Sequence, residues 1–298
     1  MGPANMIQSG GLRCRLAISP VVHCVKPLWL TLSRYYGHAG VPCFLELYLM
    51  QRFDNKVVLV TGAGSGIGRA AAVRIAAEGG AVFCVDLHEQ PLAELVAEIE
   101  ASGGTASASQ CDVSRVEQVE AIVSECVARY GSLYALVNMA GILRFDDTEK
   151  LQLDDWNKII AVNLTGTMLL CRETLPHLVK TRGSIVNAAS TAALAGLPSG
   201  AAYSASKGGV LSMTRSIAIE YGKRGVRANC VCPGDIKTGM TRGIEYPDTM
   251  DFELIPRVVS LTGAVEPEAV AGTIALLASA DGIHITGEEI RVDGGTLS

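Results

Sequence analysis

The sequence predicts an α/β fold, a single domain on one doubly wound, seven-stranded parallel sheet. Three observations predict it. From residue 56 onward, short apolar runs alternate with stretches of helical spacing, the order that covers both faces of a parallel sheet. Glycines cluster where a run passes into a helix. A hydrophobic share of 49% against a charged share of 18% supplies a sizeable core and too little charge for disorder. The 298 residues alone suit one domain or two, but no linker or repeat divides the chain after Met50.

The elements follow in order. Lys56 to Val60 is a continuous apolar run, as a strand buried on both faces requires. Ile67 to Glu78 has helical spacing and stops at Gly79-Gly80. Ala81 to Val85 is the second strand. Pro91 suits the first turn of the next helix, which ends near Gly103-Gly104. Ser114 with Glu117 reads as a capping box for a helix that closes at Gly131. Leu133 to Val137 is a strand, and a long helix runs from about Asp154 with Pro176 near its end. Ser184–Asn187, Val226–Val231 and Glu289–Val292 complete the sheet, with helices between.

Residues 1–49 form an extension outside this pattern. No acidic residue precedes Glu46, while Arg13, Arg15, Lys26 and Arg34 make the stretch basic. Four prolines interrupt it, and its apolar stretches fall short of the ~18–20 residues that span a bilayer. A targeting segment, a poorly ordered extension and a natural start at Met50 all fit. The start at Met50 is preferred, because Met50-Gln-Arg-Phe-Asp-Asn-Lys runs directly into a strand.

A net charge of −5 argues against nucleic-acid and anionic-membrane partners. The nine cysteines show no Cys-x-x-Cys pair and no disulfide framework, which suits reduced thiols in a cytoplasmic protein. His88, His177 and His284 lie in unrelated elements, so no metal is expected.

The first chemical signal is Thr61-Gly62-Ala63-Gly64-Ser65-Gly66-Ile67-Gly68, between strand and helix. A pyrophosphate needs close backbone approach, free N–H groups and the positive end of a helix. Such a turn alone is weak evidence, but here Asp86 closes the next strand. The spacing is Gly-x-x-x-Gly-x-Gly, not Gly-x-Gly-x-x-Gly, because Ile67 takes the last place.

Further landmarks follow: Asp112-Val113, Asn138-Met139-Ala140-Gly141, Asn163, Ser190, Tyr203 with Lys207, Pro233-Gly234, Thr238 and Val292-Asp293-Gly294-Gly295. In this order they resemble the classical short-chain dehydrogenase/reductase family, from about Phe53 to Gly295. Met139 departs from the family's usual second Asn, at a place where only its backbone is expected to matter. The resemblance implies a Rossmann-type sheet and Asn163, Ser190, Tyr203 and Lys207 as catalytic residues. It also implies a dinucleotide against Gly62, Ser65, Gly66, Ile67, Gly68, Asp86, Asp112, Val113, Asn138, Ala140, Gly141, Pro233, Gly234, Ile236 and Thr238, and against Tyr203 and Lys207 themselves.

Tyr203 and Lys207, four apart, share one helix face. A free tyrosine titrates at about 10. A neighbouring ammonium and a nicotinamide charge are expected to lower it by about three units, roughly 4 kcal/mol. Tyr203 would then take the alcohol proton as hydride leaves, or give one in reduction. Ser190 would bond the substrate oxygen. By resemblance, Asn163 would hold a water linking Lys207 to solvent.

Asp86, followed by Leu87 and His88 rather than a cation, suits the ribose hydroxyls of NAD and repels a 2′-phosphate. Arg69 is expected to point outward. The pocket is expected in residues 143–145, 192–197 and 239–256. It is largely apolar through Leu143, Phe145, Leu194, Leu197, Met240, Ile244, Tyr246, Met250 and Phe252, with Asp146, Asp147, Glu245, Asp248 and Asp251 on a solvated rim. An apolar, alicyclic, steroid-like or 3-hydroxyacyl alcohol fits, with Arg144 and Arg242 as candidates to receive a thioester's phosphopantetheine arm.

Two alternatives are a 3-oxoacyl-thioester reductase and a non-catalytic dinucleotide sensor. A sensor would lose Tyr203 or Lys207. An extended-type epimerase would carry a larger C-terminal region, whereas the sequence stops three residues after Gly295. A homotetramer is expected by resemblance. Helices Asp154–Lys180 and Ala201–Tyr221 would form one interface, since Leu211, Met213, Ile217 and Ala218 place apolar residues on more than one side.

Overall fold

A computed structural model describes residues 51–241 and 245–298. The expectations for residues 1–49, for a start at Met50 and for Arg242 and Ile244 lie outside those residues. Strand β1 (Val57–Thr61) is buried along its whole length, because alternate side chains enter two different cores. Val58 and Val60 cluster with Ile75 of α1 (Gly66–Ala77), Leu95 of α2 (Glu89–Ala101) and Ile274 of α8 (Glu268–Ala278). Val57 and Leu59 cluster with Ile122 of α3 (Val116–Tyr130), Leu170 of α5 (Thr167–Thr181) and Ile217 of α7 (Ala201–Gly222). Helices therefore cover both faces.

The sheet holds seven strands in the order β3-β2-β1-β4-β5-β6-β7, every pair parallel. These are β2 (Ala81–Asp86), β3 (Thr105–Gln110), β4 (Ala135–Asn138), β5 (Ser184–Ala188), β6 (Arg227–Pro233) and β7 (Glu289–Val292). Val58 of β1 pairs with Val82 on one side and Ala135 on the other. The strand order reverses between β1 and β4, and the crevice beyond the carboxyl ends there is the place for a ligand.

One local expectation is corrected and another is refined. The Ser114–Glu117 capping box does not form: the cap of α3 is Arg115, and Asp112 Oδ1 takes both Ser114 N (3.0 Å) and Ser114 Oγ (2.6 Å). The long helix is continuous in its dihedral angles but changes hydrogen-bond register midway. Helix α4 (Leu153–Ile160) passes through a π-helical turn, Ala161–Gly166, before α5. Pro176 lies inside α5. The short α6 (Ala192–Ala195) precedes α7.

One compact unit takes in every described residue. Its leading edge is tied down. Phe53 is fully buried, and the buried Glu78 carboxylate bonds Arg52 at 2.5 and 2.7 Å and also Arg74. The described cysteines are free and buried, and burial pushes the Cys84, Cys126 and Cys171 thiols up to about 12. No helix among the described residues is long and apolar enough to cross a membrane.

Candidate active site

The cleft at the switch point encloses about 1170 Å³. That exceeds the roughly 300–1,000 Å³ of an ordinary small-ligand pocket and suits an extended ligand with a second molecule beside it. At one end it opens on the first turn of α1, where Gly62, Ser65, Gly66, Ile67 and Gly68 line it. Glycine is required in this turn. Gly62 has φ +65°, and a Cβ there would stand 2.8 Å from Ala140 N. A Cβ on Gly68 would strike Gly62 O at 2.2 Å. The turn thus presents backbone and a helix N-terminus, as a diphosphate needs.

Asp86, at the end of β2, does more than face the cleft. Its Oδ2 accepts Gly64 N (3.0 Å) and its Oδ1 accepts His88 N (3.1 Å). The carboxylate therefore clamps the glycine turn to the neighbouring strand and keeps further lone pairs for a ligand. Arg69 is paired with Glu98 on α2, in line with the outward direction expected of it. Asp112 and Val113 line the cleft after β3, and Ala140 and Gly141 after β4. Pro233, Gly234, Ile236 and Thr238 line it after β6.

Asn138 ends β4 beside the cleft. It is 3% exposed and turns its side chain into the sheet, where Nδ2 donates to Asn187 Oδ1 (2.9 Å). Asn187 in turn donates to Thr214 Oγ1 (2.9 Å). The loop after Asn138 is positioned instead by Thr61, whose Oγ1 accepts both Met139 N and Ala140 N at 3.2 Å. These contacts cross 78 and 79 residues of chain, so no local sequence pattern marks that role for Thr61.

The catalytic candidates converge from three elements. Ser190 follows β5; its Oγ accepts Ala192 N (3.1 Å) and hydrogen-bonds Tyr203. Tyr203 and Lys207 lie one turn apart on α7 and both line the cleft. Lys207 Nζ donates to Ala188 O (2.7 Å) and stands 5.7 Å from the Tyr203 ring centroid.

Their electrostatics differ from expectation. Burial pushes the Tyr203 phenol above its ordinary value, and the hydrogen bond from Ser190 offsets this only in part. Burial also lowers Lys207, to about 8. Within the chain the Ser190 hydrogen bond works against burial, and a positive charge entering the cleft would lower the phenol further.

Asn163 is placed by the π turn. It is fully buried in the π turn and does not line the cleft. Its Oδ1 accepts Ile142 N (2.8 Å), and its Nδ2 donates to Ile142 O (2.9 Å) and Ser206 Oγ (3.1 Å). Its carbonyl accepts Thr167 Oγ1 (2.7 Å). With both amide hydrogens spent on the chain, the side chain holds the loop after β4.

The distal wall is apolar. Leu143, Phe145, Leu197, Met240 and Tyr246 line it as expected, and Ile255, Val258 and Val259 join them. Leu194, Met250 and Phe252 do not: Met250 is buried elsewhere, and Phe252 stacks edge-on against Tyr246 at 5.6 Å. Phe145 and Tyr246 meet across the cleft mouth with centroids 4.9 Å apart. On the rim, Asp146 pairs with Arg144, while Asp147 pairs with Lys150 and accepts Thr249 Oγ1 (2.6 Å). Among the described residues, no group of three or more His, Cys, Asp or Glu is placed to hold a metal ion.

A family model described as enoyl-(acyl carrier protein) reductase matches residues 62–296. The chain is 41% identical over 247 residues to meso-2,3-butanediol dehydrogenase of Serratia marcescens, covering 83% of this chain and 96% of that protein. It is 38% identical over 267 residues to 3beta-hydroxysteroid dehydrogenase of Mediterraneibacter gnavus, covering 83% and 97%. Among solved structures, a dehydrogenase/reductase from Sinorhizobium meliloti 1021 superposes with a TM-score of 0.76 at 33% identity, covering 84% of this chain and 98% of that one.

Proposed function

The chain belongs to the classical short-chain dehydrogenase/reductase family, oxidoreductases acting on CH–OH groups, and from that premise we propose an NAD-dependent dehydrogenase of apolar secondary alcohols with Tyr203 as general acid/base. The observation that carries this reading is the Ser190–Tyr203–Lys207 group, gathered at an apolar-walled cleft.

The residues divide the work. Ser190 donates to the carbinol or carbonyl oxygen and holds it within reach of the Tyr203 hydroxyl. Tyr203 carries the proton, accepting it in oxidation and giving it in reduction. The bound dinucleotide supplies the hydride acceptor and, when oxidised, a positive charge beside the phenol. Lys207, fixed by Ala188 O, adds its own charge on the same helix face. The raised phenol of the chain alone suits proton donation; the base role waits for the incoming charge.

Asp86 supports NAD over NADP, because its carboxylate opposes a 2′-phosphate and Arg69 is occupied by Glu98. The relatives act, by their names, on a small diol and on a steroid, and the apolar wall from Leu143 to Val259 suits an uncharged alicyclic or steroid-like alcohol. Reduction of a carrier-protein thioester is the second reading, raised by the description of the matching family model. Arg144, a candidate to receive such an arm, is engaged by Asp146 and Asp155.

The buried reduced thiols suit the cytoplasm. A homotetramer is the proposed assembly. Leu211, Ile217 and Ala218 are buried within the chain itself, but a groove between α5 and α7 is lined by Met168, Leu175, Met213 and Tyr221, and Ile219 nearby is 83% exposed. A second copy placing the same two helices there would cover it.

The test is a panel of cyclic and acyclic secondary alcohols, a hydroxysteroid and a 3-oxoacyl thioester. Each is assayed with NAD(H) and NADP(H) by absorbance of the reduced cofactor. Turnover of neutral alcohols with NAD is expected. Faster thioester reduction with NADPH would transfer the assignment to the second reading.

A further inference from the structure

Between Tyr203 and Lys207 on α7 lies Ser206, fully buried, with a side chain that reaches neither the cleft nor solvent. A serine inside a helix commonly bonds back to its own backbone, and Ser206 Oγ does donate to Tyr203 O at 2.7 Å. Its other contact is long-range: Oγ accepts Asn163 Nδ2 at 3.1 Å, across 43 residues of chain.

That bond completes the Asn163 amide. One amide hydrogen and Oδ1 form a paired, strand-like contact with the N–H and carbonyl of Ile142. The second hydrogen goes to Ser206. Ile142, Asn163 and Ser206 thus join the loop after β4, the π turn and the catalytic helix in one line of buried hydrogen bonds. A π turn inside an otherwise α-helical segment has poorer geometry than the helix it interrupts. Here it sets Asn163 where this line needs it.

The line runs beside the ammonium. A Cβ built on Gly141 would stand 3.3 Å from Asn163 Oδ1 and 3.5 Å from Lys207 Nζ, so the amide dipole and the cation border the same small space. An amide that rotates away removes its dipole from the space that Lys207 borders and lets Ile142 move at the cleft wall.

We infer that Ser206 is a positioning residue: by holding the Asn163 amide it fixes the π turn and the loop after β4 against the Tyr203–Lys207 pair. This rests on the catalytic reading of Tyr203 given above. Without the Ser206 hydroxyl, Asn163 is left with a buried, unsatisfied N–H, and its paired bonds to Ile142 compete with rotation toward another acceptor.

The experiment compares Ser206→Ala, Ser206→Thr and Tyr203→Phe in the full chain, using the best alcohol from the panel. The Ala variant is expected to lose roughly ten- to hundredfold in kcat, the scale of a small misplacement of catalytic groups. Its KM and its NADH affinity by fluorescence should stay within about twofold. The limb of its pH–rate profile should move to more alkaline pH, because a less supported ammonium supports the phenolate less. A role in stability alone would leave that limb in place. Ser206→Thr keeps the hydroxyl and should recover most of the turnover and the limb.

Wild-type kcat and an unmoved limb in Ser206→Ala, with Tyr203→Phe inactive, would overturn the role of Ser206 and leave the catalytic reading standing. Full turnover by Tyr203→Phe would overturn the catalytic reading itself. If Ser206→Ala fails to fold, the isosteric Ser206→Cys, a weaker hydrogen-bonding partner, is read instead. Wild-type kcat and limb there would overturn the inference equally.

Discussion

Replacing Asp86 by alanine separates two jobs that one carboxylate performs. In the folded chain its oxygens accept Gly64 N at 3.0 Å and His88 N at 3.1 Å. Hydrogen bonds to a charged group contribute about 1.5–3 kcal/mol each, and partial exposure of Asp86 brings this nearer ~1 kcal/mol apiece. Losing both should cost about 2 kcal/mol, or roughly 4–8 °C in Tm for a domain of this size. The ribose bonds are separate. Their loss, at ~1.5–3 kcal/mol, should weaken NADH binding roughly ten- to hundredfold. NADPH should gain less than NADH loses, because the glycine turn released from Asp86 holds either diphosphate less firmly. Asp86→Asn retains an acceptor oxygen, so it should recover about half of the lost Tm while still losing discrimination. Fluorescence titration with both reduced cofactors and thermal melts measure these quantities. An Asp86→Ala variant with unchanged Tm and NADH affinity within about twofold would refute the reasoning, as would a wild-type protein that binds NADPH as tightly as NADH.

Lys207 gives a prediction with a definite sign. Folding lowers its pKa from 10.5 to about 8, so between these values the unfolded chain binds more protons and stability rises with pH. Lys207→Met should therefore melt higher than wild type at pH 7, by up to roughly 3 kcal/mol, with the gap closing between pH 8 and 10.5 as turnover is lost throughout. Equal melting at pH 7 would contradict it. Gly141→Ala should fold normally yet turn over about tenfold more slowly, since its Cβ would stand 3.3 Å from Asn163 Oδ1 and 3.5 Å from Lys207 Nζ; wild-type kcat would show that this space is unused. A chain beginning at Met50 should fold and bind NADH like the full chain, because Phe53 and the Arg52–Glu78 pair already anchor that edge; loss of soluble, cofactor-binding protein would refute this.

The fold was legible where one rule decided it. β1, β2 and β4 are apolar on both faces, so a continuous apolar run announces each. β3 reads Thr-Ala-Ser-Ala-Ser-Gln, an edge strand with little to bury, and polar small residues give no periodic signal. The dinucleotide turn and the Tyr203–Lys207 pair were legible because their chemistry fixes residue type and spacing together. The π turn was not, since Gly166 alone does not announce it and the bond of the Asn163 amide to Ile142 is a tertiary contact. Ser114 misled for a similar reason, because Asp112 outcompetes a capping box that looked complete in one dimension. The clamp by Asp86 and the bridge by Ser206 join residues far apart in sequence, and no local pattern carries that information.

The strand order has a consequence for how the chain acquires its structure. β1, β2 and β3 are neighbours both in sequence and in space, so their pairing with one another needs no residue beyond 110. The remaining edge of β1 must then wait for β4, as Val58 pairs with Ala135 far down the chain. Until then, an apolar strand that ends at the centre of the protein is an outer edge, with unpaired amides available to any other strand. Non-local parallel pairing is slow, and chains of this length commonly pass through partly ordered species. On the ribosome or in a refolding tube, the period between completion of β3 and docking of β4 is when this protein is most exposed to self-association. Renaturation yield should accordingly fall as protein concentration rises, even under conditions where the finished fold is stable.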